Sequence, residues 1–185
     1  MGKVVVPNDY VEGFNETPIF LAGPIKGAPN WHDDAIKYLF SQKDDLIIFS
    51  PNTKLNEESS SYLFFGRKSY FPRQRAWERH YLELASKTGS VLFWLPGEEK
   101  HDCDQVYGAM TRLELGEFLG WYKFNKKVSF CVGTDGEFPE MKTLLFDLNL
   151  DSPNKTIFST LEEACKGVVD SVKTVSCNVN FPWGM

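Results

Sequence analysis

The chain alternates short apolar segments with stretches of helical periodicity, and this alternation limits the folds that it can adopt. The apolar segments, which are typical of buried strands, are 17–24, 46–49, 91–95, 128–132 and 156–158. The stretches with helical spacing cover 30–40, 72–86, 109–122 and 161–172. Alternating strands and helices form parallel sheets, and right-handed crossovers leave few topologies. We therefore predict an α/β fold: a doubly wound, flavodoxin-like parallel sheet of four to five strands with helices on both faces.

The chain has 185 residues, 42% of them hydrophobic, which is enough for one globular domain with a sizeable core. Within a single domain over 1–185, we expect residues 1–16 to be a loosely held lead-in and 173–185 to be a tail. Residues 50–70 show no clear period. A loop of that length inside a compact domain is usually functional or mobile.

The composition argues against several classes of partner. A net charge of -5 disfavours broad binding of polymeric nucleic acid. The cysteines are far apart and show no C-x-x-C zinc pattern, and the three histidines are scattered, so we expect free thiols and no metal site. No apolar run approaches the roughly 20 residues of a membrane span, and no N-terminal apolar segment is present. These features favour a cytoplasmic protein without a membrane partner.

The run 108–117 places one carboxylate, Glu114, near the start of an amphipathic helix that follows the strongest strand signal. Helix starts after strands are where α/β proteins collect polar ligands, because unpaired backbone N–H groups point into the crevice. A carboxylate there can act as a nucleophile toward an electrophilic carbon. The alternative is a surface glutamate that the helix dipole favours near a helix N-terminus.

The ends of two predicted strands should meet Glu114 at one cleft, because ligands of open α/β sheets lie beyond the carboxyl ends of the strands. The first strand leads into 22–27, and the third leads into an acidic loop with Asp102 and Asp104. Neither segment matches a dinucleotide or P-loop motif. Gly23 either forms a plain turn after the strand or removes side-chain bulk so that a sugar can approach the backbone.

Segment 67–80 is strongly basic in an otherwise acidic chain. It contains Arg67, Lys68, Arg73, Arg75 and Arg79 against the single acid Glu78, with Tyr70, Phe71 and Trp77 interleaved. One interpretation is a solvated helix face. The other is an entrance that attracts a nucleotide phosphate and stacks a base. Glu78 or His80 could assist proton transfer there, although a lone histidine near aromatic residues is more often structural.

Three short motifs, in this order over roughly 17–132, resemble the nucleoside 2-deoxyribosyltransferases and their nucleotide N-glycosidase relatives. The segment 19–24, Ile-Phe-Leu-Ala-Gly-Pro, is similar to the first-strand motif of that family. Gln74-x-x-Trp77-Glu78, followed by an Ala-Ser step and an apolar strand ending in Trp94, is similar to its phage and bacterial branch. Thr111-x-x-Glu114-x-Gly116 resembles the helix motif that carries the catalytic glutamate.

The resemblance implies a flavodoxin-like fold and attack by Glu114 on C1′ of a (deoxy)ribosyl group, with a covalent glycosyl ester that water or a second base resolves. Family members often have a tyrosine beside the glutamate, where this chain has Phe20. The family's partner aspartate has no Asp counterpart here. Glu78 is the nearest acid, Glu83 is a weaker match, and Asp104 fits loosely an aspartate that transferases have before the glutamate.

We therefore expect an enzyme that cleaves or exchanges the N-glycosidic bond of a (deoxy)nucleoside or nucleoside 5′-monophosphate. The expected catalytic residues are Glu114, Glu78 and Asp104, and the expected substrate-binding residues are Phe20, Gly23, Pro24, Trp77, Trp94, Arg73, Arg75 and Thr111. In this scheme Trp94 or Trp77 stacks the base, and Arg73 or Arg75 meets a phosphate. No metal or organic cofactor is required, and the family suggests a homo-oligomer.

Two alternatives belong to other classes. The first is a module on the same fold that binds or sequesters a nucleotide without turning it over, which the missing tyrosine favours. The second is a flavin carrier on the same fold. A glycosyl adduct on Glu114 would exclude the first, and a colourless purified protein would exclude the second.

Overall fold

A computed structural model describes residues 2–7, 9–53, 63–65, 71–102, 104–125, 127–153 and 155–173. The strands are β1 (Lys3–Val5), β2 (Thr17–Ala22), β3 (Leu46–Phe49), β4 (Leu63–Phe65), β5 (Ser90–Leu95), β6 (Phe130–Thr134) and β7 (Ile157–Phe158). The helices are α1 (Trp31–Gln42), α2 (Phe71–Thr88), α3 (Ala109–Phe124), α4 (Met141–Asp151) and α5 (Leu161–Lys173). Every strand and helix predicted from the sequence is present, with ends shifted by a few residues.

The strands form one sheet in the order β4-β1-β3-β2-β5-β6-β7, and every neighbouring pair is parallel. The part β3-β2-β5-β6-β7 has the strand order of flavodoxin-like folds, in which the direction of strand addition reverses between β2 and β5. The predicted α/β, doubly wound, flavodoxin-like class is therefore confirmed. The predicted count of four to five strands is wrong, since β1 and β4 extend the sheet beyond β3.

The N-terminal segment is not the loosely held lead-in that we predicted. β1 lies inside the sheet between β3 and β4, with Val4 opposite Ile48 and opposite Phe64. Val4 and Val5 are fully buried. β4 likewise lies within the predicted loop 50–70. Strands of three residues are too short to show a period, and only their pairing with distant segments makes them strands.

The helices cover both faces of the sheet. α1 and α5 pack on one face, where Ile36 and Val168 belong to the same buried cluster. α2, α3 and α4 pack on the other, where Tyr81, Phe118 and Leu148 are buried together. Residues on β5 alternate between the two clusters because successive side chains of a strand point to opposite faces.

The sequence did not predict helix α4. Its apolar residues do not lie on one face, since Met141 and Leu148 are buried whereas Phe146 and Leu150 are mostly exposed. A helix without a clear apolar stripe gives little periodic signal. No helix among the described residues combines the length and apolar character that crossing a membrane requires.

The cysteines that the structure describes, Cys131 and Cys165, are buried free thiols. Cys103, Cys177 and the tail beyond residue 173 lie outside the described residues.

Candidate active site

A cleft of about 400 Å³ opens at the carboxyl ends of β2 and β5, where the strand order reverses. This is where open α/β sheets bind their ligands. The loops after the two strands are tied together at Gly27, whose carbonyl accepts hydrogen bonds from the N–H groups of Glu99 (2.7 Å) and Lys100 (3.0 Å). Gly27 has φ +76°, which favours glycine. The first turn of α3 forms another wall with Ala109, Met110 and Thr111.

Glu114 projects into this cleft from the second turn of α3. The neighbouring residues Leu115 and Phe118 are fully buried against the sheet and fix the rotation of the helix. The Glu114 side chain is only 12% exposed. The predicted functional carboxylate therefore lies in the cleft and is not a solvated residue at a helix start.

Arg75 of α2 joins Glu114 to a second carboxylate. Its Nη1 donates to Oε1 of Glu114 and, at 3.1 Å, to Oε2 of Glu78. The other oxygen of Glu78 accepts a hydrogen bond from Nε2 of Gln74 at 2.9 Å. Two oxygens that share one donor nitrogen lie within roughly 6 Å of each other. The cleft thus presents a pair of carboxylates held by one guanidinium.

The environment of Glu114 raises the pKa of its carboxyl group above 4.5. Burial is the main cause, because removal from water disfavours the charged form. Arg75 opposes this rise by donating to the carboxylate, whereas the negative charges of Glu78 and Glu117 add to it. A carboxylate of raised pKa is more basic and, once ionised, a better nucleophile than an exposed one.

Most of the predicted site residues meet at this cleft. Phe20, Gly23, Pro24, Arg75, Glu78, Thr111 and Glu114 all line it. Gly23 also has a packing reason to be glycine, since a Cβ there would lie 2.3 Å from the Trp94 carbonyl oxygen and 2.7 Å from the Trp31 ring. Packing against Trp94 and Trp31 is thus a reason for glycine that the sequence did not show, and the contact of Gly23 with a sugar stays a prediction.

The two tryptophans predicted to stack a base do not reach the cleft. Trp77 is fully buried behind Phe20, with 6.1 Å between the ring centroids, and its Nε1 donates to the Asp9 carbonyl. Trp94 is 5% exposed and belongs to the cluster on the α1–α5 face of the sheet. This prediction is wrong because strand alternation and helix rotation turn both rings into the core.

Three other polar candidates lie outside the cleft lining. Arg73 and Asp104 are exposed, and the backbone N–H of Asp104 donates to Oδ1 of Asp102. His80 is exposed and contacts the rings of Tyr10 and Tyr81, which agrees with a structural role. Arg67, Lys68 and Tyr70, and the side chain of Phe71, lie outside the described residues.

The structure adds cleft residues that the sequence did not single out. The lining also includes Lys26, Glu98, Tyr107 and Met110, together with Asp102. The Tyr107 hydroxyl donates to the Pro96 or Gly97 carbonyl, at 2.9 and 3.0 Å. Burial, with the charges of Asp135 and Glu98, raises the pKa of Tyr107. The sequence signal that could have placed Tyr107 at the cleft was its position just before α3. The orientation of its side chain depends on contacts between loops, which the sequence does not show.

In the parts of the chain that the structure describes, no three His, Cys, Asp or Glu side chains are grouped so that they could hold a metal ion. Comparison of the sequence with protein-family models and with curated proteins finds no match. The function is therefore argued from the carboxylate pair, its guanidinium and the cleft around them.

Proposed function

We propose that the protein cleaves or exchanges the N-glycosidic bond of a (deoxy)nucleoside or nucleoside 5′-monophosphate through a covalent glycosyl ester on Glu114. The observation that carries this proposal is the buried Glu114 in the cleft at the strand-order reversal, with Glu78 held beside it by Arg75. Retaining glycosidases hold their two carboxyl groups about 5 Å apart, and the oxygens of Glu78 and Glu114 that share Arg75 lie within roughly 6 Å of each other. The order of the sequence motifs supplies the substrate class.

In the proposed reaction, an oxygen of Glu114 attacks C1′ and the C1′–N bond breaks. The base leaves with the bonding electron pair and takes a proton from an acid, for which Glu78 is the best placed residue. Water, which gives a proton to the now ionised Glu78, or a second base then attacks C1′, and the C1′–O bond breaks to release the Glu114 carboxylate. Each carboxylate has the role that retaining glycoside chemistry requires.

Arg75 can take the place of the orienting hydroxyl group that Phe20 lacks. The family resemblance implies a tyrosine hydroxyl that orients the nucleophile, and Phe20 has none. The guanidinium of Arg75 donates to both carboxylates from a position that is 20% exposed. It can therefore orient Glu114 and limit the repulsion between the two negative charges.

The test is incubation with mixed nucleosides and nucleoside 5′-monophosphates, followed by chromatography for free and exchanged bases. We expect base release by the wild-type protein and its loss in Glu114→Gln, which keeps an oxygen that can accept from Arg75. Glu117→Gln is the matched control, because Glu117 lies on the same helix but pairs with the exposed Arg79. Equal rates for Glu114→Gln and the wild-type protein would contradict the mechanism.

The second candidate is a binding module that does not turn its nucleotide over. The ion pair with Arg75 favours it, since a carboxylate engaged by a guanidinium is a weaker nucleophile. A 2′-fluoro nucleoside separates the two candidates. A mass adduct on Glu114 supports the enzyme, whereas binding without adduct or base release supports the module.

We also propose that the protein is a cytoplasmic homo-oligomer. The outer surfaces of α3 and α4 support association, because Leu113, Phe124, Phe146 and Leu150 are each more than 60% exposed. Apolar surface of this kind often marks an interface. Sedimentation of the purified protein would measure its oligomeric state.

A further inference from the structure

The described lining of the cleft is acidic. Its four carboxylates belong to Glu78, Glu98, Asp102 and Glu114, and its two cations are Lys26 and Arg75. The Glu98 side chain is 21% exposed and accepts a hydrogen bond from His101 at 3.0 Å. Partly buried charges are screened less by salt than exposed ones. Among the partly buried groups of the described lining, the three carboxylates of Glu78, Glu98 and Glu114 face the single cation Arg75, which leaves an excess of negative charge.

Arg75 offers a phosphate little unbalanced charge, because its single positive charge is shared by two buried carboxylates. Its Nη1 already donates to Glu114 and Glu78, and both of those carboxylates are at least four-fifths buried. If Arg75 turned to a phosphate, it would leave two buried carboxylates without a counter-ion, which is strongly unfavourable. Lys26 and Asp102 are both exposed, so solvent and salt weaken the attraction of Lys26 for an anion and the repulsion by Asp102 alike.

Besides these two cations, the described cleft has one feature that favours an anion, which is the N-terminal turn of α3. Ala109, Met110 and Thr111 bring that turn to the cleft wall. The field at a helix N-terminus is equivalent to about half a positive elementary charge. That is smaller than the excess of two carboxylates in the lining, so the side chains decide the sign of the potential.

We infer that the cleft takes an uncharged nucleoside and discriminates against the corresponding 5′-monophosphate. This inference rests on the proposed function and selects one of the two substrate classes that it leaves open. Glu98 is the residue assigned to most of the discrimination, and the exposed Asp102 to a smaller part, because both add negative charge that Arg75 does not balance. Arg75 belongs to the carboxylate pair and not to a phosphate site.

The experiment compares one nucleoside with its own 5′-monophosphate at pH 8, where imidazoles are mostly neutral and the phosphate is a dianion. We expect kcat/KM for the nucleoside to exceed that for the monophosphate by at least roughly tenfold at low salt. Added salt should reduce this ratio, because it screens the repulsion. A ratio of one or below would overturn the inference and leave the proposed function standing. Release of base from neither substrate, with no adduct on Glu114, would overturn both.

The double variant Glu98→Gln with Asp102→Asn tests the assignment to these side chains. Both changes keep the acceptor oxygens that contact His101 and the Asp104 N–H. We expect the nucleoside-to-monophosphate ratio to fall by roughly tenfold through a lower KM for the monophosphate. Glu99→Gln is the matched control, since Glu99 is exposed next to Glu98 and does not line the cleft. A double variant with the wild-type ratio, or a control with the same fall, would refute the assignment.

Discussion

Glu114 and Glu78 are similarly buried but differ in their contacts, and this difference suggests different roles for the two carboxylates. Glu114 is held by Arg75 from α2, while Glu78 is anchored on its own helix by Gln74 and Arg75. The nucleophile must be ionised and must face C1′, whereas the acid must reach the departing base. Both lie on the cleft wall, but Asp104 does not.

Glu78→Gln should lower kcat for ordinary nucleosides by about 10²-fold or more, as the loss of a general acid does. A nucleoside with an N7-methylated purine should lose much less, because its base departs without protonation. Asp104→Asn should retain the wild-type rate, since Asp104 is exposed and outside the cleft lining. Steady-state rates on both substrates are the measurement. An equal loss on both substrates would assign Glu78 a purely structural role.

At the scale of elements, two ion pairs join α2 to α3. Arg75 contacts Glu114 in the cleft, and one helical turn farther on Arg79 contacts Glu117 at 3.1 Å on the surface. The surface pair is more than half exposed at Arg79, so its contribution to stability should be small. Arg79 therefore serves as a surface control for Arg75, which is more buried and contacts two carboxylates.

Arg75→Gln should move the acid limb of the kcat/KM profile to higher pH, whereas Arg79→Gln should leave it in place. Activity requires ionised Glu114, so it rises as pH passes the pKa of that group, which burial places above 4.5. The Arg75 guanidinium opposes this rise, so its removal should move the acid limb up by about one pH unit or more. The check is kcat/KM measured from pH 4.5 to 9. Unshifted profiles in both variants would show that Arg75 does not act on Glu114.

For the molecule as a whole, the buried His32 should determine part of the acid sensitivity. His32 on α1 is 1% exposed, its Nε2 has no hydrogen-bond partner in the described part of the chain, and burial lowers its pKa to about 3. The unfolded chain takes up a proton near pH 6.5, but the folded chain resists it. The free energy of unfolding contributed by this group is therefore complete above pH 6.5 and is lost as pH falls.

Between pH 7.5 and pH 5.5, this loss should amount to roughly 1.4 kcal/mol. Urea unfolding at the two pH values measures it, and His32→Leu should lack this part of the difference. His101→Gln is the control, because the exposed His101 should leave the wild-type dependence intact. If His32→Leu lost stability as steeply as the wild-type protein, burial of His32 would not be the cause.

Only part of the carboxylate site could be predicted from the sequence. Glu114 and Gly23 could be placed at the cleft because each follows a strong strand signal at the carboxyl edge of the sheet. The sequence could not place Trp77 and Trp94, whose aromatic character fits a base platform and a core equally well. Burial depends on which face of a helix or strand meets the sheet, and a one-residue difference reverses it.

The alternation of apolar strands with helices by itself determined the parallel, doubly wound sheet, because local periodicity and the handedness of crossovers suffice for that class. It also determined that 22–27 and Glu114 meet at one cleft. Only the tertiary structure decided that Lys3–Val5 and Leu63–Phe65 complete the sheet. Only the tertiary structure joined Arg75 to Glu78 and Glu114, 39 residues farther along the chain from Arg75. The short strands and the shared guanidinium depend on contacts between segments that are distant in the sequence. Such contacts produce no periodic pattern from which they could be predicted.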